Sequence, residues 1–485
     1  MHILELRLDY LHSAAERSAL FRWLARQRRL PTLIATCRTR QGGGKFGGSA
    51  WVELQILAQA ARAGCRWCDV ELESAEQVRP EDLRRAMAPA RLLVSAHDFR
   101  RLPLSLPRLA RRLAHCGGQA IKIAATCHSL SDDRRLLALA RGRRNVVVIP
   151  MGEKTLGARI LALREGSALA YAAIANSTAP GQLSLDSMIN VYHLDRRFGK
   201  STGGPTRRTR VYGVIGNPVA HSLSPLMHNA AFAERRLNAV YLPFDVLDLA
   251  DFIGNIGALR IAGFSVTIPH KQRILRYLDG CDPLAAEIGA VNTVVLRGTR
   301  LYGYNTDYVG VLRAIESRVP LRSSRVLLIG AGGVARAAAF ALSRAGAAVA
   351  IWARRPEQAR ALARAAEGQA LERPALQHEF FDAVVNCTPV GLRPGDGSPL
   401  RAGELNCSVV MDLIYRPRTT PLLRLAARRG IATISGVEMF LTQGMAQYEI
   451  WTGERAPEAV MRKAVLAALK QEEQREEKDK APARQ

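Results

Sequence analysis

Across the first 195 residues, short apolar runs alternate with longer amphipathic ones. The runs lie at 3–9, 32–38, 67–73, 91–98, 120–126, 145–152 and 169–175, and helix-like stretches such as 51–63 and 132–141 separate them. Strand then helix at this pitch predicts βα units with parallel strands, the pattern of a (β/α)8-type barrel. Seven strands are predicted where a closed barrel needs eight. The predicted barrel is therefore one βα unit short of closure. The chemistry of such a barrel gathers at the C-terminal ends of its strands.

The barrel-like region is predicted to span 1–198, with a Gly-, Ser-, Thr- and Arg-rich linker at 199–209. A second α/β region follows in two lobes, 210–310 and 311–435. The second lobe opens with the strand RVLLIG, a glycine turn, an Ala-rich helix and the strand AAVAIW, which predicts a Rossmann βαβ unit. Residues 436–470 read as closing helices that return to the first lobe, and 471–485 as a charged tail that frays.

The formal net charge of +26 raises the question of nucleic acid. The excess is spread along the chain without a basic arm or basic-aromatic repeat, so neither nucleic acid nor membrane is expected as a partner. Eight cysteines in 485 residues do not form a disulfide framework, and the lone C-x-x-C of Cys65 and Cys68 has no second pair at zinc spacing. No metal site is expected. The N-terminus has no basic-apolar leader and no apolar run approaches membrane length, so a reducing, cytoplasmic location is expected. Of 69 Lys+Arg residues only nine are lysine, so each lysine is an unusual choice.

Lys122 stands between isoleucines in AIKIAAT, a strand that should be apolar on both faces. Burial disfavours an ammonium, and a partly neutral lysine is what Schiff-base chemistry on a ketone requires. The alternative is a lysine whose head reaches water at a strand end. His97, at the end of the preceding strand in VSAHDF, is placed for proton transfer. Glu5 and Arg7 are two apart and share one strand face. Arg38 ends the next strand before the glycine loop QGGGKFGGS, and Arg159 and Gln182 follow the last two strands. Several arginines at strand ends imply a carboxylate substrate.

ELRLDYL, ATCR…GGG, SAHDF, IKIA and STAPGQ, in this order, resemble the type I 3-dehydroquinate dehydratases over about residues 1–195. The resemblance implies that Lys122 forms the Schiff base and that His97 is the general acid/base. It also implies substrate contacts by Glu5, Arg7, Arg38, Arg159, Thr178 and Gln182. That family has a complete βα unit before the strand of Glu5 and Arg7, so the resemblance implies that the first unit is missing here; a start codon further upstream is expected, with an open barrel as the alternative. That family has an acidic residue beside its histidine at the position of Gly42. The glycine predicts slower turnover, and Gly42→Glu a gain.

In the second region, GNPVAHSLSP places Ser222 and Ser224 two apart in one loop, suited to aiming two hydroxyls at an anion. FSVTIPHK ends in Lys271, GAVNTV holds Asn292 and NTD holds Asp307; a lysine and an aspartate from separate segments can form an acid/base pair. GAGGVA fits G-x-G-x-x-G/A through Gly330, Gly332 and Ala335, with Gly333 beside them, after a strand and opening a helix. The next strand ends in IWARRP, with Arg354 and Arg355 where NAD enzymes carry an acid, which favours NADP.

Together with NCTPVG and GVEMFLTQGMAQ, these motifs resemble shikimate dehydrogenases over about 210–470. The resemblance implies Lys271 and Asp307 as the catalytic pair. It implies Ser222, Ser224, Thr267, Asn292 and Gln443 as shikimate ligands, with Asn386, Thr388 and Gly436 on the cofactor side. The combined expectation is a bifunctional enzyme that dehydrates 3-dehydroquinate and reduces 3-dehydroshikimate to shikimate with NADPH. A monofunctional dehydrogenase with an inactive barrel, and an NAD-dependent quinate dehydrogenase, stand as alternatives. Oligomeric state is not legible in the sequence.

Overall fold

The computed structural model describes residues 3–174, 181–195, 204–393 and 395–480. The chain divides into two compact units. The first comprises Met1–Ile189, Leu194–Thr209 and Ala250–Leu259; the second comprises Asn190–His193, Arg210–Leu249 and Arg260–Gln485.

The first unit is built on six parallel strands in sequential order: β1 (Ile3–Arg7), β2 (Thr32–Thr36), β3 (Trp67–Glu71), β4 (Arg91–Asp98), β5 (Ala120–Thr126) and β6 (Val146–Met151). Helices such as Ala50–Arg62 and Leu156–Glu165 follow the strands and supply the apolar residues that cover one face of the sheet, as in a β/α barrel. The predicted seventh strand is not formed over 169–174, which makes one isolated bridge, Ala173 to Ser184. A strand exists through its ladder, and apolar pattern alone supplies no hydrogen-bond partner. Among the described residues β1 pairs only with β2, so the order shows no strand on its other side.

The predicted linker is also partly structured. Residues 204–209 form a turn, with Thr206 N donating to Thr209 Oγ1, and Arg164 Nε donates to the buried Thr209 carbonyl.

The second unit has two sheets. The first has the order β10-β12-β11-β9-β7-β8, from β7 (Arg210–Gly216), β8 (Ala239–Asp245), β9 (Ile261–Val266), β10 (Gly280–Cys281), β11 (Thr293–Arg297) and β12 (Arg300–Tyr304). The second contains β13 (Arg325–Ile329), β14 (Ala348–Trp352), β15 (Gln369–Ala370), β16 (Phe381–Asn386), β17 (Cys407–Asp412) and β18 (Ala432–Ile434). Its strands are all parallel in the order β15-β14-β13-β16-β17-β18, the doubly wound 3-2-1-4-5-6 arrangement of a Rossmann fold. The helix Gly436–Thr452 returns to the first lobe, where Val437, Leu441, Tyr448 and Trp451 join Tyr212 and Phe232 in one apolar core. The tail predicted to fray is helical as far as Lys480, because QEEQREEKDK consists mostly of good helix formers.

All eight cysteines are free thiols. No helix among the described residues is long and apolar enough to cross a membrane.

Glu53, on the helix Ala50–Arg62, is fully buried; the Ser74 hydroxyl donates to its Oε2 at 2.5 Å, and no ion pair holds it among the described residues. Burial pushes its carboxyl up to about 7. The folded state therefore binds a proton that the unfolded state has released between the ordinary glutamate value and about pH 7. Stability falls as pH rises through that window. Glu53→Gln is expected to raise Tm by several degrees at pH 8, from a gain of at most about 3 kcal/mol, and to change it little at pH 4.5. Thermal melts at the two pH values check this; a variant less stable than wild type at pH 8 contradicts it.

Candidate active sites

Alternate residues of a strand share a face, and in the first unit one face collects polar side chains from consecutive strands. Glu5 of β1 accepts from Thr36 Oγ1 at 2.8 Å. Arg38, just past β2, donates through Nη2 to Asp69 at 2.8 Å and through Nη1 to Glu71 at 3.1 Å and Ser95 Oγ at 2.9 Å. Ser95 in turn donates to Asp69 Oδ1 at 2.5 Å.

Lys122 of β5 lies at the centre of this network. It is 3 % exposed and does not reach water, and its ammonium is paired with the fully buried Asp69 carboxylate. Glu5 lies 3.9 Å from Nζ, and the Tyr171 ring centroid lies 4.8 Å from it. Burial alone would raise the Asp69 carboxyl; Arg38 and Lys122 outweigh it and hold the group below the usual carboxylate range. His97 stands two residues beyond Ser95, on the same face of β4. Burial first, and then the cations Arg38 and Lys122, hold its pKa well below the ordinary value. It is a neutral imidazole at pH 7, able to accept a proton.

The remaining expected residues of this unit separate. Arg7 is committed to Asp9, donating from Nε at 2.8 Å and Nη2 at 2.7 Å, and Asp9 also accepts from the Lys45 amide of the glycine loop at 3.0 Å. Arg159 is buried on the helix Leu156–Glu165, and burial lowers its pKa to about 10, still charged at neutral pH. Gln182 is half-buried, and Thr178 lies outside the described residues.

The surroundings of Gly42 bear on one expectation. A Cβ there would lie 1.9 Å from Glu71 Oε1 and 2.9 Å from Arg38 Cδ. The Glu71 carboxylate, bound by Arg38 and by Thr39 Oγ1, already fills the space into which a side chain at 42 would start. Asp69 and Glu71 were missed in the sequence, although WCDVE sets two carboxylates at i and i+2 inside a strand flanked by apolar runs.

In the second unit a single cavity of about 880 Å3 brings both predicted half-sites together. Lys271 and Asp307 meet in it at 2.6 Å. Asp307 opens the helix Asp307–Glu316, where the N-terminal dipole favours a carboxylate. Asn292 Nδ2 donates to its other oxygen at 2.8 Å, and Asn292 Oδ1 accepts from the Thr306 amide at 2.7 Å. One face of Asp307 is thus fixed by the amide of Asn292 and the other by Lys271.

Ser222, Ser224, Thr267 and Gln443 line the same cavity. The Ser224 amide donates to Ser222 Oγ at 3.2 Å, which fixes the Ser222 hydroxyl beside the start of the helix that Ser224 opens. Gln447 and Tyr415 also line it and were missed. Gln447 had a readable signal, since it lies four residues after Gln443 and so on the same helix face.

At the Rossmann turn, Gly330 has φ +107°, and a Cβ would lie 2.9 Å from Thr388 Cγ2. Gly332 caps the helix Gly333–Arg344; a Cβ on Gly332 or Gly333 would meet nothing within 4 Å. The space before this helix N-terminus is open and walled by backbone N–H groups, the arrangement that accepts a pyrophosphate. Ala335 is buried against the sheet. Arg354 and Arg355 are exposed past the end of β14, with no acid beside them in the chain. These residues suit NADP, with glycines for the diphosphate and guanidinium groups for the 2′-phosphate.

Thr388 and Gly436 line the cavity; Asn386 does not. Fully buried, Asn386 donates to Asp412 Oδ1 at 3.1 Å and accepts from the Thr388 amide at 3.0 Å, so it holds the turn that presents Thr388. No cluster of metal-binding side chains occurs among the described residues.

Comparison with known proteins matches each unit to a family. Residues 1–198 match the type I 3-dehydroquinase model. Residues 214–294 match the shikimate dehydrogenase substrate-binding domain, 313–388 the shikimate/quinate 5-dehydrogenase model and 436–466 the shikimate 5′-dehydrogenase C-terminal domain. The bifunctional 3-dehydroquinate dehydratase/shikimate dehydrogenase of Arabidopsis thaliana, a chloroplastic protein, is 35% identical over 481 residues, covering 94% of this chain and 78% of that one. The NADP(+) shikimate dehydrogenase of Thermococcus kodakarensis is 44% identical over 267 residues, covering 54% of this chain and 97% of the relative. A solved shikimate dehydrogenase in complex with NADP+ is 39% identical, with a TM-score of 0.51, and covers 55% of this chain and 97% of its own. The chain belongs to the family of bifunctional 3-dehydroquinate dehydratase/shikimate dehydrogenases.

Proposed function

We propose that the first unit dehydrates 3-dehydroquinate through an imine at Lys122 and that the second reduces 3-dehydroshikimate to shikimate with NADPH. The observation that carries this reading is the same in both units. A scarce lysine sits at the convergence of the polar side chains, paired to a buried or nearly buried carboxylate. Arginine, always charged, could serve neither role.

In the first unit the attacking amine must shed a proton, and the neutral His97 beside Asp69 is the acceptor that the network provides. Lys122 Nζ attacks the substrate ketone and water leaves to form the iminium, which draws electrons from the adjacent carbon. His97 takes the proton from that carbon and returns it to the departing hydroxyl. Hydrolysis of the imine frees the product and Lys122. Asp69 positions the nitrogen throughout, and Arg38 keeps Asp69 ionised.

In the second unit Ser222, Ser224, Asn292, Thr267 and Gln443 hold the polyol carboxylate with its ketone beside Lys271. NADPH supplies hydride when bound. Lys271 donates the proton that the forming alkoxide needs, while Asp307 fixes the ammonium and accepts the substrate's neighbouring hydroxyl. Gly332 and Gly333 would hold the diphosphate, and Arg354 and Arg355 the 2′-phosphate. The cytoplasm, with its supply of reduced nicotinamide and free thiols, is the proposed compartment.

A coupled assay tests the reading. The full chain given 3-dehydroquinate and NADPH should form shikimate. Lys122→Ala should stop this, yet leave reduction of supplied 3-dehydroshikimate intact; Lys271→Ala should stop reduction and let 3-dehydroshikimate accumulate. Reduction without any dehydration in the wild-type chain would contradict the first half.

Gly42→Glu gives a sharper test. Because Glu71 fills the position, the substitution must displace it from Arg38, and dehydratase kcat/KM should fall about tenfold or more. A rate at or above wild type would show that a carboxylate at 42 is accommodated and useful.

A further inference from the structure

Tyr171 carries a polar group that no described residue satisfies. Its ring is partly open to solvent, but the hydroxyl oxygen is sealed and has no hydrogen-bond partner. A buried hydroxyl without a partner costs about 1–3 kcal/mol, and such groups are rare enough to need an explanation. The ring lies with its centroid 4.8 Å from Lys122 Nζ, within cation–π reach. The ring is therefore beside the nucleophile and not in a structural layer. Burial, with Glu5 and Asp69 adding negative potential, raises its pKa well above the ordinary value, so it is a neutral phenol and a competent donor.

Among the described residues neither nearby carboxylate takes this bond: Glu5 accepts from Thr36, and Asp69 accepts from Arg38, Ser95 and Lys122. A phenylalanine would supply the same ring face against the ammonium without an orphaned hydroxyl, so packing and cation–π attraction do not account for the oxygen.

We infer that Tyr171 is a further substrate-binding residue of the dehydratase, its hydroxyl donating to an oxygen of the bound polyhydroxy carboxylate at the Lys122 centre. The inference rests on the proposed dehydratase reading. Bound substrate supplies the acceptor that the free protein lacks, while the aromatic face stays against the nitrogen as ammonium becomes iminium. The bond is made in ground state and transition state alike, so its loss belongs in KM more than in kcat.

Steady-state kinetics of Tyr171→Phe on 3-dehydroquinate, beside wild type, test this. KM should rise about tenfold with kcat within about threefold, the effect of deleting one neutral hydrogen bond to substrate. The melting temperature should not fall, since no protein bond is removed. A KM equal to that of wild type, or a loss confined to kcat, overturns the inference. A lowered Tm with wild-type KM would show that the hydroxyl serves the fold, and overturns it too. A wild-type chain inactive on 3-dehydroquinate overturns the dehydratase reading and this inference together, whereas an active wild type with an unaltered Tyr171→Phe KM overturns this inference alone.

Discussion

The first unit depends on one ion pair, that of Lys122 with Asp69. Removing an ammonium and a carboxylate from water costs several kcal/mol per ion, and their mutual attraction returns it only if every remaining lone pair is satisfied. Here three donors converge on the carboxylate: Asp69 receives Arg38, Ser95 and Lys122, and Arg38 is anchored again by Glu71. This requirement ties β2, β3, β4 and β5 together on their polar face and fixes the nitrogen to within the tolerance that imine formation demands. Deleting Asp69 would take from the buried Lys122 and Arg38 the carboxylate they share, worth about 3–5 kcal/mol.

The second unit uses the same pairing under less severe burial. The Lys271 side chain is 20% exposed and that of Asp307 8%. The difference matches the proposed chemistry. A nucleophile benefits from a dry site that excludes competing water, whereas a proton donor to an alkoxide must recover its proton from solvent. Asp307 gains its fixed position from Asn292 and from a helix N-terminus, and the glycine turn of the Rossmann lobe opens into the same cavity. A reductant and a polyol carboxylate thus meet within one lobe pair.

Much of this was legible in the sequence. Lys122, His97 and Lys271 each break a local pattern: a cation in an apolar strand, an imidazole at a strand end, and a lysine in a chain that nearly always chooses arginine; Asp307 was found through its motif, NTD. The doubly wound lobe followed from a glycine turn placed between strand and helix. What escaped was information that lives between segments. Asp69 was readable by the same test as Lys122, but which carboxylate answers which cation is set by register across strands. The space at Gly42 is filled from β3, so an aligned position could not reveal that it is occupied. Asn386 sits in a motif beside the cofactor turn yet spends its amide on the turn itself. The run at 169–175 had the composition of a strand, but a ladder also needs a neighbour. Propensity, not packing, explains why the charged tail continues as helix to Lys480.

The central claim is that the buried lysine of β5 is a working nucleophile and not a structural ion. Borohydride reduction of the full chain in the presence of 3-dehydroquinate, followed by peptide mass analysis, tests it directly. The account predicts a covalent adduct on the peptide containing Lys122 and none on that containing Lys271. An unmodified Lys122 peptide under conditions in which the chain still reduces 3-dehydroshikimate would contradict it.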